Sequence, residues 1–190
     1  MFKSESLLKR LKWIYIRKSL SLIKLVVLDV DGVLTCGGLW INDEGNLHKR
    51  FNVKDGLGIR LLIENKIKIV FISGGRGGAT ESRAKQLGID DCFIGIKNKS
   101  LALRQIQEKY KLSRTETLFV GDDINDMVVR PYVKLLISTA DAAKPLRSIS
   151  DAVLIRNGGE GAVRELTDKI LKSKNVYETT IKSLQAMTND

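Results

Sequence analysis

Carboxylates in two short stretches carry most of the chemistry this sequence can offer. The first stretch, residues 24–35, reads KLVVLDVDGVLT. Its apolar run delivers Asp29 and Asp31 to the end of a strand, and Gly32 follows. Side chains alternate across a strand, so carboxylates two residues apart look the same way. Two like charges held together repel unless a proton or a cation neutralises them. A hard cation such as Mg²⁺ suits that oxygen-rich pair and leaves room for water and a substrate phosphate. One carboxylate is then placed to attack phosphorus, giving an aspartyl-phosphate, and the other to move protons. Alone, DVDG reads equally well as a strand end with an Asx-type turn. The second stretch, GDDIND at residues 121–126, decides between them. Capping a helix uses one carboxylate, and Asp122, Asp123 and Asp126 repel one another without a cation.

Strands must carry these residues. Short apolar runs at residues 25–28, 67–72, 117–120 and 135–138 read as buried strands of a parallel sheet, with weaker strands at 91–94 and 151–155. Between them lie helical stretches. One begins at Asp55-Gly56 with Asp55 as a fair N-cap, and one opens at Lys99 and runs to about residue 110. A terminal helix covers residues 161–171. Residues 39–53 alternate around a polar centre with Gly45 at the turn, the pattern of a β-hairpin following the first strand. The order predicts an α/β fold, a three-layer sandwich with a mainly parallel Rossmann-like sheet. In such sheets ligands bind beyond the carboxyl ends of the strands, where both acidic stretches fall. Ser73 and the glycine-dense turn after it stand at another such end, where a hydroxyl and free N–H groups can hold phosphate oxygens. Taken singly, Lys99 is more readily an exposed lysine than a phosphate contact, and His48 a solvated strand residue.

Composition bounds the function. The chain has 190 residues, 43% hydrophobic and 28% charged, which fits one soluble domain with a substantial core. Its net charge of +10 admits nucleic acid, a membrane surface or an anionic small substrate as partner. Sparse aromatics disfavour a base-stacking platform, so no nucleic-acid partner is expected. Residues 1–24 hold seven Lys or Arg against Glu5 alone, but lysines interrupt the apolar residues and no stable membrane insertion is expected. Cys36 and Cys92 form no CxxC, and neither opens a C-x₅-R loop. Reduced thiols in a cytoplasmic protein are the plain reading, and a cysteine phosphatase is disfavoured. With His48 the sole histidine, a histidine phosphatase or multi-histidine metal site is disfavoured as well.

Together, DVDGVLT, Ser73 after a strand, Lys99 and GDDIND resemble the four signature motifs of the haloacid dehalogenase-like phosphatases. NVKDGLGIR at residues 52–60, ESRAKQLGI, Asn98-Lys99 and GGEGAVREL resemble, more closely, the 3-deoxy-D-manno-octulosonate 8-phosphate phosphatase family. Nonulosonate phosphatases and the phosphatase-like domain of some sialic acid cytidylyltransferases share these features. The resemblance covers about residues 22–172, with a basic helical extension at 1–21 before it and a polar tail at 173–190 after it. It implies Mg²⁺, held by Asp29, the Asp31 carbonyl and Asp122, with Asp123 and Asp126 in support. It implies Asp29 as nucleophile, Asp31 as general acid/base, and Ser73 and Lys99 on the phosphoryl oxygens. Asn52, Val53, Lys54, Asp55, Gly56, Arg60 and Arg83 match substrate-contacting positions, partly across a subunit boundary. Arg60 and Arg83 suit a sugar carboxylate, since a guanidinium fork matches it. The family's T-G-R is here Ser73-Gly74-Gly75, so its arginine position is a glycine, and either Arg76 beside it takes over the substrate contact or the substrate differs. That departure leaves two substrates open, the eight-carbon 2-keto-3-deoxy sugar acid phosphate and a nine-carbon nonulosonate 9-phosphate. The chain has no insertion long enough for a cap domain. The resemblance therefore implies a homotetramer, in which hairpins pair and neighbouring subunits roof each site. A non-catalytic oligomerisation module is the rival reading, and it predicts damaged motifs.

Overall fold

The computed structural model describes residues 2–187, and the side chains of residues 11–186. Met1 of the expected extension and residues 188–190 of the expected tail lie outside the described residues. In chain order the elements are α1 (Phe2–Leu22), β1 (Leu25–Leu28), β2 (Trp40–Ile41), β3 (Leu47–His48), α2 (Val53–Glu64), β4 (Lys68–Ile72), α3 (Gly78–Leu87), β5 (Cys92–Phe93), α4 (Lys99–Tyr110), β6 (Thr117–Gly121), β7 (Leu135–Ser138), α5 (Lys144–Ile149), β8 (Ala152–Val153), α6 (Ala162–Ser173) and α7 (Tyr177–Met187). A short 3₁₀ turn, Arg114–Glu116, precedes β6, and a longer 3₁₀ segment, Ile124–Tyr132, follows it.

Six strands form one sheet in the order β5-β4-β1-β6-β7-β8, and every neighbouring pair is parallel. From β1 the chain winds outward to β4 and β5, then returns to β6 on the other side of β1 and winds outward again. The order thus reverses between β1 and β6, which is the switch point where open α/β sheets build their crevice. Alternation of side chains explains the layers. Val26 and Leu28 face one apolar cluster, shared with Ile59 and Leu62 of α2 and Val163 and Leu166 of α6. Leu25 and Val27 face the opposite cluster, with Leu103 and Ile106 of α4 and Leu146 of α5. All four residues of β1 are fully buried, as expected of a central strand covered on both faces.

The hairpin forms as expected but is shorter, with Trp40 opposite His48, Ile41 opposite Leu47 and Gly45 at φ +80° in the turn. Its far end belongs to α2. Asn52, not Asp55, is the N-cap of that helix: its backbone is extended and its side chain accepts the Lys54 N–H at 2.8 Å. Asp55 lies in the first turn of α2, 1% exposed, and accepts the Arg164 N–H at 2.8 Å and the Gly161 N–H at 3.2 Å. It therefore caps α6, whose own preceding residue, Gly161, has no side chain to do so. Sequence spacing could not show this, because the partner is more than a hundred residues away.

The ends of the chain are also structured. Ile16 and Leu20 of α1 enter the core, and Lys169 of α6 lies over the Trp13 ring. The polar stretch after residue 173, expected as a tail, turns at Asn175 and forms α7. Tyr177, Ile181 and Leu184 recur at helical spacing and pack on the core, while Thr180 and Asn65 exchange hydrogen bonds. Three apolar residues among polar ones give a weak pattern in sequence, and only the waiting groove makes it a docked helix. Among the described residues, no helix is long and apolar enough to cross a membrane.

Candidate active site

The two acidic stretches meet at the carboxyl ends of β1 and β6. The Asp29 N–H donates to the Val120 carbonyl at 3.0 Å, so sheet pairing runs up to the first acidic residue. Asp29, Asp122 and Asp126 each place a carboxylate oxygen within 4.8 Å of the others. One cation stands among them. Lys99 Nζ lies 2.8 Å from Asp29 Oδ2 and 2.6 Å from Asp126 Oδ1, and Lys99 and Asp126 are almost wholly buried. The Asn98 side chain caps α4 by accepting the Leu101 N–H at 3.0 Å, and this fixes where Lys99 leaves the helix.

Asp126 is held on every side. Its Oδ2 accepts the Asp122 N–H at 3.0 Å and the Asp123 N–H at 3.4 Å, while Oδ1 takes Lys99. Asp123 caps the 3₁₀ segment in a reciprocal capping box with Asp126. So the three carboxylates of GDDIND divide their work: Asp123 caps, Asp126 braces the loop and Lys99, and Asp122 is left to face Asp29. Close approach needs glycine. A Cβ at Gly32, where φ is +78°, would sit 1.9 Å from Asp122 Oδ2.

The electrostatics are those of a site built for a cation. Burial first, then the charge of Asp126, pushes the Asp29 carboxyl up to about 6, against the pull of Lys99. Burial, then the charges of Asp29 and Asp126, pushes Asp122 up to about 8. Burial lowers Lys99, but Asp29 and Asp126 outweigh it and leave its pKa raised. One lysine does not offset three crowded carboxylates, and a divalent ion would. The donor set fits Mg²⁺, which takes oxygen ligands and one or two carboxylates.

Asp31 takes another direction. Its carboxylate is 32% exposed and lies outside the acidic cluster. Lys49 Nζ sits 2.8 Å from its Oδ1 and 2.9 Å from its Oδ2. Ser73 is buried at the end of β4, with its hydroxyl 3.5 Å from Asp31 Oδ2 and accepting the Gly75 N–H at 3.1 Å. Asp29, Asp31, Ser73, Lys99 and Asp122, drawn from four separate stretches, thus converge on one crevice.

The other expected site residues fall elsewhere. Val53, Gly56, Arg60 and Arg83, with Leu57, Gln86 and Leu87, line an open groove of about 230 Å³ between α2 and α3. Arg83 spans it, donating to Gln86 Oε1 at 2.6 Å and to the Asn52 carbonyl at 3.3 Å. The Asn52 amide in turn donates to the Gly159 carbonyl at 3.2 Å. Lys54 lines a separate polar pocket with Arg156 and Arg164. Arg76 is exposed, and its stem lies along Gly95, beyond β5. Asp55 has its carboxylate committed to α6, as described above.

Lys49 was not legible as a site residue. It lies one residue past β3, in a hairpin whose other polar side chains are exposed. The available signal was alternation: an exposed His48 puts Lys49 on the opposite, inward face.

The chain is similar to several known proteins. The haloacid dehalogenase-like hydrolase family profile matches residues 53–128. The 3-deoxy-D-manno-octulosonate 8-phosphate phosphatase KdsC of Escherichia coli K12 is 38% identical over 149 residues, 78% of this chain and 79% of that protein. The same enzyme from Yersinia pestis is 36% identical over 156 residues, 82% of this chain and 83% of that protein. Among solved structures, the Moraxella catarrhalis phosphatase of that name, in complex with magnesium, phosphate and KDO, superposes with a TM-score of 0.87. It is 33% identical, and the match covers 90% of this chain and 98% of that one. The cobalt-bound Haemophilus influenzae phosphatase superposes at 0.82 and is 34% identical, with 85% of this chain and 94% of that one covered.

Proposed function

We propose that this chain, which belongs to the 3-deoxy-D-manno-octulosonate 8-phosphate phosphatase family of haloacid dehalogenase-like hydrolases, is a Mg²⁺-dependent phosphatase acting on that eight-carbon sugar acid phosphate. One observation carries the reading. Asp29 and Asp122 face each other across the β1–β6 switch point, with Lys99 bound to Asp29 and to the brace Asp126. An inert oligomerisation module has no use for three crowded carboxylates at the cost their repulsion imposes.

Each residue then has a task. Asp29 attacks phosphorus, and the bond to the sugar oxygen breaks with its electron pair going to that oxygen. Asp31 gives that oxygen a proton. In the second step Asp31 takes a proton from water as the water oxygen attacks phosphorus, and the bond to Asp29 breaks to release phosphate. Lys99, the Ser73 hydroxyl and the Gly74 N–H stabilise the phosphoryl oxygens, where charge neutralisation matters most. Mg²⁺ held by Asp29, Asp122 and the Asp31 carbonyl would supply the remaining positive charge. Arg60 and Arg83, in the α2–α3 groove, present two guanidinium groups suited to a substrate carboxylate on this or a neighbouring subunit.

Leu39, Trp40 and Ile41 on the hairpin are all more than half exposed, an apolar seam suited to a second copy of the chain. We read the working form as a cytoplasmic homotetramer.

Phosphate release with Mg²⁺ from 3-deoxy-D-manno-octulosonate 8-phosphate, beside a nonulosonate 9-phosphate and an aryl phosphate, tests the proposal. Preference for the eight-carbon acid, lost with Asp29→Asn and with a chelator, is the expected result. Preference for the nine-carbon acid would move the substrate and make Gly75 responsible. No release from any of them would sink the enzymatic reading.

A further inference from the structure

The hairpin reaches into the crevice with one residue. Lys49 carries a side chain 2% exposed, although residues 39–46 before it are exposed throughout. A buried ammonium must be paired and hydrogen-bonded to be tolerated. Its partners are the two oxygens of Asp31, at 2.8 and 2.9 Å, and the Thr80 hydroxyl, at 3.2 Å. The ammonium thus donates to Asp31 Oδ2 and to Thr80, with Asp31 Oδ1 in ion-pair contact. Thr80 lies in the first turn of α3 and is itself 1% exposed. Lys49 therefore joins the hairpin, the loop after β1 and the start of α3 at one point.

The turn after β4 leaves room for it. A Cβ at Gly75 would lie 2.8 Å from Asp31 Oδ2 and 3.5 Å from Lys49 Nζ. Even the first carbon of a side chain there would press on the pair. Asp31, for its part, has among the described residues only the 3.5 Å contact from Ser73 as a further side-chain bond. A partly exposed carboxylate with one distant neighbour would be free to rotate, and a proton donor misplaced by an ångström loses much of its effect.

We propose that Lys49 is a positioning residue for Asp31: it fixes the carboxylate against the leaving-group side of the crevice and makes that placement depend on a seated hairpin. The inference rests on the reading of Asp31 as the general acid. It assigns to the hairpin, otherwise the seam between subunits, a direct hold on the proton-transfer group.

The consequence is leaving-group dependence. A sugar or other alkyl oxygen needs a proton as it departs, whereas a nitrophenol leaves readily as its anion. Lys49→Met keeps the stem and removes the ammonium. Its kcat/KM, which reports the leaving-group step alone, should fall about a hundredfold on an alkyl phosphate, the scale of general acid catalysis, and less than about tenfold on p-nitrophenyl phosphate, whereas kcat falls on both wherever hydrolysis of the aspartyl-phosphate, which also uses Asp31, limits turnover. Thr80→Val, which removes only the hydroxyl, should show a smaller loss of the same kind. In an Asp31→Asn background Lys49→Met should cost nothing further on the alkyl phosphate, since the group it positions is already disabled.

Equal losses of kcat/KM on both substrates would mean that Lys49 does not act through the departing oxygen and would overturn the proposal. A crystal structure of the Lys49→Met protein gives a reading independent of activity. Asp31 should leave its present place beside Ser73, and a carboxylate that stays there would overturn the proposal whatever the rates. Failure of the functional reading looks different: Asp31→Asn alone would then lack any leaving-group dependence.

Discussion

Replacing Gly32 with alanine should separate the placement of Asp122 from the stability of the fold. Two penalties follow from the geometry. The residue sits at φ +78°, a conformation that costs a non-glycine residue roughly 1–3 kcal/mol. The added Cβ would also lie 1.9 Å from Asp122 Oδ2 and 2.3 Å from its Cγ. Ordinary carbon–oxygen contact begins at about 3.3 Å, so the carboxylate must retreat by about 1.4 Å or the loop after β1 must open. Asp122 faces Asp29 across the proposed Mg²⁺ site, and a misplacement of that size costs about a hundredfold in rate. The expected result is kcat/KM for phosphate release down by about two orders of magnitude and Mg²⁺ half-saturation moved to higher concentration. Thermal unfolding should lose only about 3–10 °C for a chain of this length. The assay is a Mg²⁺ titration of phosphate release, run beside calorimetry. An alanine variant with wild-type Mg²⁺ dependence and kcat/KM within threefold would refute the claim that Asp122 needs this glycine.

Other predictions bear on separate parts of the structure. Asp55→Ala should destabilise by about 2–4 kcal/mol, since it removes a charged acceptor from two N–H groups at the start of α6, and a melting temperature unchanged within 2 °C would mean Asp55 is no cap. In chelator, stability should fall as pH rises from about 4 to about 8. The folded state keeps the Asp29 proton to about pH 6 and the Asp122 proton to about pH 8, against an ordinary 3.8, while the unfolded chain has already released both. Added Mg²⁺ should remove that slope by stabilising the ionised carboxylates, which differential scanning across the pH range would reveal as a widening gap between the two curves. Trp40→Asp, at an exposed position of the hairpin, should shift the assembly to smaller species in sedimentation velocity, and an unchanged sedimentation coefficient would remove the hairpin from the subunit interface.

Much of this protein is determined by local sequence. The run at residues 25–28 is apolar without interruption, so it is a central strand wherever it packs, and period-two alternation puts Asp29 and Asp31 beyond its end. The same reasoning located β4, β6 and β7, the hairpin turn at Gly45 and the start of α4 at Lys99. Spacing also made GDDIND too acidic for a cap alone. What sequence left undetermined was which residues answer one another. Asp55 reads as the cap of its own helix because local patterns reach only a few residues, but it caps α6, brought alongside by the packing of α2 on that helix. Asp31 and Asp29 look like one pair, yet tertiary structure gives Asp29 to Lys99 and Asp31 to Lys49. Lys49 is one basic residue among many until the hairpin folds back over the crevice and buries it. The stretch after residue 173 is polar by composition, and it becomes a helix because the folded domain offers its few apolar residues a surface. Chemistry-bearing residue types and strand ends are local properties. Pairing, burial and the division of work among like charges are properties of the fold.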